Sequence, residues 1–88
     1  MKVNEHYVVK VLAGESVLVH QDAHNVDFSK IITLNETGLL IFQKIQEGAD
    51  LDETVKAITE EYDIDDMTAR KDATAFVDKL KKMGIVHD

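Results

Sequence analysis

The chain has 88 residues, 44% of them hydrophobic, with no cysteine and no proline. That length supports one small core, and the missing cysteines exclude a disulfide framework or a thiolate metal site and suit a reducing cytoplasm. A formal net charge of −7 weighs against nucleic acid, which is held by basic side chains that displace counterions from phosphates.

No apolar signal segment follows the first six residues. The longest apolar run, Leu39-Leu40-Ile41-Phe42, falls far short of the roughly 20 residues that cross a bilayer, so a soluble protein with no membrane partner is expected. Tyr7-Val8-Val9-Lys10-Val11-Leu12 is rich in β-branched residues and puts Tyr7, Val9 and Val11 on one face, which predicts a strand over 7–12. Ala13-Gly14-Glu15-Ser16 supplies a turn, and a returning strand over about 16–20 completes a hairpin. The polar stretch from Gln21 to about Asp27 reads as a connector, followed by a short third strand over 30–34.

The rest of the chain has the period of helices. Asn35 is placed to cap a helix over 36–47, with Leu34 and Leu39 as a hydrophobic staple and Gly48 as its stop. Its apolar residues wrap most of the circumference, which marks it as central. Asp50 and Glu53 have capping-box spacing for a helix over 51–62, whose stripe is Leu51, Val55, Ile58 and Tyr62. After Asp63-Ile64-Asp65, a helix over 66–83 carries Ala69, Ala73, Phe76, Leu80 and Met83 at helical steps. Gly84 ends it, and Ile85-Val86 is expected to pack back on the core. Strands followed by helices give an α+β fold, winged helix-turn-helix-like, with three N-terminal antiparallel strands and a three-helix bundle.

Chemistry finds no foothold. His20 and His24 lie four apart across a strand end and a loop, without the helical spacing that aims two ligands at one metal. Asp63-Ile64-Asp65-Asp66 fails as a calcium loop, because Thr68 and Thr74 stand where glycine and a bidentate glutamate are required. Ser16 and Ser29 lack a nucleophile-elbow setting, and neither opens a helix as the phosphopantetheine serine of an acyl carrier protein does. The four glycines are scattered singly, so no phosphate-cradling loop exists. No catalytic residue, cofactor or metal is assigned, and the chain reads as a binding protein.

The block Ile31-Ile32-Thr33-Leu34-Asn35-Glu36-Thr37-Gly38 with its apolar helix and Gly48, then Glu60-Glu61-Tyr62-Asp63, Asp72 ahead of Phe76-Val77, and Leu80 before Met83-Gly84-Ile85-Val86, resembles the PqqD-like family. With the hairpin from Tyr7 to His20, the resemblance spans nearly the whole chain. It implies a winged-helix-like fold and a peptide chaperone that recognises the leader region of a ribosomally made precursor peptide. It further implies that the leader adds as a strand to the third strand, beside the third helix, with a modifying enzyme, often a radical SAM protein, as second partner. Carried onto this sequence, the edge is Lys30, Ile31, Ile32, Thr33 and Leu34. With Phe76 and Leu80 assigned to the core stripe, the flanking Arg70, Thr74, Val77 and Lys81 face the groove, Val77 toward an apolar leader side chain and the two cations toward acidic ones. The alternatives are a winged-helix nucleic-acid-binding module, favoured by five of the ten basic residues falling in the last helix, and a scaffold subunit of an enzyme complex.

Overall fold

In a computed structural model, which describes every residue except Ala23 and His24 and describes Lys30 through its backbone alone, eight elements follow in order. They are β1 (Lys2–Val3), β2 (Tyr7–Leu12), β3 (Glu15–Asp22), β4 (Asn25–Leu34), α1 (Glu36–Gln46), α2 (Leu51–Glu61), α3 (Asp66–Lys82) and β5 (Val86–His87). The class is the expected α+β one, with antiparallel strands first and three helices after.

The main sheet has the order β2-β3-β4. Tyr7 pairs with His20 and Leu12 with Glu15, so Ala13 and Gly14 alone turn the chain. Both have positive φ, 52° and 81°, as a two-residue turn between right-twisted strands demands, and glycine meets that demand without strain. Strand β4 is twice the expected length. Gln21 opposite Val26 and Asp22 opposite Asn25 continue the ladder through the stretch whose polarity reads as a connector. Backbone pairing does not require burial, so a hairpin that extends past the core can be polar.

The β3–β4 ladder is also irregular. Leu18 faces Ile32 and His20 faces Asp27, so the single residue Val19 lies across from four residues of β4, 28–31. Such a bulge bends the strand and interrupts its ladder. Within it Ser29 donates its N–H to Asp27 Oδ1 at 2.9 Å. The chain ends form a second, two-stranded sheet, with Val3 opposite Val86. Ile85 and Val86 are buried, as their apolar character foretells, but the strand partner at Lys2–Val3 is a finding of the structure.

The helices begin where their caps stand. Asn35 Oδ1 accepts the Gly38 N–H at 2.7 Å, and Asp50 and Glu53 form the reciprocal capping box. Phe42, Ile41 and Ile45 of α1 are buried between the sheet residue Leu18 and the faces of α2 and α3 carrying Val55, Ile58, Ala69, Ala73 and Leu80. One expectation for α3 is corrected. Val77 is 4% exposed and belongs to the core, whereas Phe76 is only half-buried at its border. Steps of four, three, four or of four, four, three both fit a helix, so periodicity alone cannot choose between the two neighbours.

Candidate functional site

Among the described residues β4 has a strand neighbour, β3, on one side only, so its other side carries backbone N–H and C=O groups with no ladder partner. Ile32 and Leu34 turn into the core, at 8% and 6% exposure, while Ile31 and Thr33 are exposed on the opposite face. Lys30, the remaining residue expected at this edge, continues the strand, and its side chain lies outside the described residues.

Next to the C-terminal end of β4 a hollow of about 690 Å³ opens toward α3. Thr33 and Leu34 border it on the strand side, and Phe76 and Lys79 on the helix side. Leu39 and Glu36 of α1 and the turn residues Gly14, Glu15 and Ser16 complete it. A smaller hollow continues past Phe76 between Asn35, Thr37, Gly38 and Asp72. Phe76 therefore stands at the junction of two connected recesses, an aromatic surface with one side in the core and one side open. Glu15, Glu36 and Asp72 outnumber Lys79 around it, so the local field favours a guest that is apolar or basic.

The capping residues shape this hollow as well as α1. A Cβ on Gly38 would come within 3.1 Å of Asn35 Oδ1 and 3.4 Å of Phe76 Cζ. Only glycine lets the cap and the aromatic ring approach the same turn of helix. Gly38→Val is expected to cost about 1–2 kcal/mol, the usual worth of a lost cap plus local crowding, and to push Phe76 outward. Urea unfolding measures the first, and the chemical shifts of the Phe76 ring measure the second.

The four α3 residues expected to flank the groove are not brought to it. At about 100° per residue, Asp72, Phe76 and Lys79 fall on one side of the Ala69, Ala73, Leu80 stripe, and Arg70, Thr74 and Lys81 on the other. Arg70 binds Asp52 of α2 at 2.8 Å, with Asp66 at 3.8 Å, and the hydrogen bond to Asp52 raises its already high pKa further. Lys81 binds Asp88 at 3.0 Å and holds that carboxyl below its usual range. Thr74, Val77 and Lys81 border a separate recess of about 230 Å³ with Met1, Asp50, Leu51 and Asp78. Every stripe has two flanks, and the sequence pattern does not say which one turns toward the sheet. Phe76 and Lys79 were legible only as a core residue and a surface cation.

His20 stacks on His6, ring centroids 5.6 Å apart, and meets Tyr7 edge-on. His24, considered with it as a ligand pair, lies outside the described residues. Among the described residues no three metal-ligating side chains gather in one place. None of the helices is long and apolar enough to cross a membrane, again among the described residues.

The sequence profile of the family described as coenzyme PQQ synthesis protein D (PqqD) matches residues 15–86. No curated protein matches the chain in sequence. Among solved structures, TbiB1 in complex with the TbiA(beta) leader peptide is 26% identical over the whole of both chains, with a TM-score of 0.76. Lasso peptide synthetase B1 complexed with the leader peptide is 23% identical, with a TM-score of 0.77, over 99% of this chain and 96% of that one.

Proposed function

Because this chain belongs to the PqqD family and leaves one edge of β4 open beside an apolar hollow, we propose that it is a non-catalytic peptide carrier. It captures the leader region of a ribosomally made precursor peptide by strand addition and presents it to a modifying enzyme. The open edge carries this reading: a guest strand completes the ladder along residues 30–34, and its alternate side chains turn toward the hollow beside Phe76. Main-chain bonds supply affinity with little regard for sequence, and the hollow selects an apolar side chain. The complex of TbiB1 with a leader peptide, on a similar chain, supports the assignment of the guest.

The second partner is a modifying enzyme of the radical SAM class, and both act in the cytoplasm. Quinone cofactor biosynthesis is one pathway among several that such a carrier can serve. The nucleic-acid reading loses its main support, since Arg70 and Lys81, two of the cations of α3, are paired with Asp52 and Asp88. Isothermal titration with the precursor peptide encoded beside this chain tests the proposal. Saturable binding by the leader half, and none by the remainder, is the expected result. Heat evolved only by the remainder, or none at high micromolar concentration, would reject it.

A further inference from the structure

A second apolar surface lies on the face of the sheet turned away from the helices. Val9, Leu18 and Ile32 face the core, so their neighbours Val8, Val17, Val19, Ile31 and Thr33 face the other way. Val17 and Val19 are 4% and 0% exposed yet stand outside the main core cluster. Across from Val19 runs the bulged segment of β4, which carries two of the most exposed large apolar side chains of the molecule, Phe28 at 54% and Ile31 at 42%. Apolar side chains this exposed, on the strand that also has the open edge, are not accounted for by packing within the chain.

Strand geometry supplies the occupant. A strand added to β4 lies about 4.8 Å away and turns successive side chains to opposite faces. Those on one face reach the hollow at Phe76. Those on the other come within about 4.5–5.5 Å, Cβ to Cβ, of the β4 residues opposite them on the outer face. We infer that Ile31 and Phe28 form a second guest subsite on the outer face of the sheet, which takes an apolar side chain adjacent in sequence to the one entering the hollow. The inference rests on strand addition to β4 and narrows its ligand. A guest gripped on one face needs apolar residues at every second position, whereas a guest gripped on both needs two in succession. The bulge bends β4 immediately before Ile32, so the paired stretch of the guest is short and ends at this subsite.

The test is selection of a random dodecapeptide library on the intact chain, followed by affinity measurement on Phe28→Lys and Ile31→Lys. Both positions are exposed, so thermal melting is expected to be unchanged. Selected peptides are expected to carry two consecutive apolar residues and to bind either lysine variant roughly tenfold more weakly, the worth of one lost apolar contact. Substituting the second apolar residue of the peptide by serine should abolish that difference. Selected peptides with apolar residues only at alternate positions, and affinities indifferent to both variants, would overturn the subsite while leaving strand addition intact. A variant that merely turns a dimer into a monomer in sedimentation, with peptide affinity unchanged, would also overturn it. Peptides that bind equally well after Phe76→Ala and after proline substitution in β4 would overturn strand addition itself, and the subsite with it.

Discussion

Proline at the outward-facing N–H of β4 is expected to weaken leader-peptide binding by about tenfold or more while the chain keeps its fold. An antiparallel ladder alternates, so of the neighbours Ile32 and Thr33 one directs its N–H to β3 and the other away from it. Proline at the outward position removes a donor that has no partner until the guest arrives, and its ring obstructs the guest backbone. Proline at the inward position breaks a bond of the β3–β4 ladder and should lower the melting temperature. The pair is thus its own control: one variant melts early, and the other melts normally but fails to bind. One lost main-chain bond in a sheltered site is worth about 0.5–1.5 kcal/mol, up to tenfold in affinity, and steric obstruction adds to it. Undiminished binding by both variants would mean that the peptide does not lie along this strand.

The sequence tells most where one residue has one local task. Asn35, Asp50, Glu53 and the Ala13-Gly14 turn each satisfy backbone groups within a few positions, so helix starts and the first hairpin can be read directly. The open edge at Ile32 to Leu34 is legible for a related reason, because alternation of buried and exposed residues marks a strand whichever side it pairs on. Elements joined by distant partners escape such reading. Lys2–Val3 becomes a strand only because Val86–His87 lies beside it, and neither dipeptide carries a pattern long enough to announce this. The polar half of β4 pairs through its backbone while burying little, which hides it from any argument based on hydrophobic period.

The helix side of the site was misread for a further reason. Phe76 is the larger residue and sits at a permitted step, so size argues for placing it in the core. The core, however, is already filled on that side by Phe42, Ile41 and Leu80, and the slim Val77 fits where a phenyl ring would overpack. The ring is displaced to the border, against Gly38, where it becomes available to a guest. Packing volume decides which residue serves function, and volume is a property of the assembled fold.

Two alanine substitutions one residue apart separate these roles. Phe76→Ala removes the aromatic surface between the two recesses and is expected to weaken peptide binding roughly tenfold to hundredfold, the range of an aromatic anchor at an interface. Its effect on stability should be small, since the ring is only partly buried. Val77→Ala removes two methyl groups from a closed core and is expected to cost about 1–2.5 kcal/mol in urea unfolding, with the affinity of the folded protein unchanged. Lys81→Ala, which breaks only an exposed pair with Asp88, should change neither. Should Val77→Ala or Lys81→Ala weaken binding as much as Phe76→Ala does, the guest would have to occupy the other flank of α3, beside Met1 and Leu51, and could not be a strand added to β4. The flank of α3 that binds is therefore also the measure of whether the edge of β4 is used, because only the Phe76 side shares a recess with it.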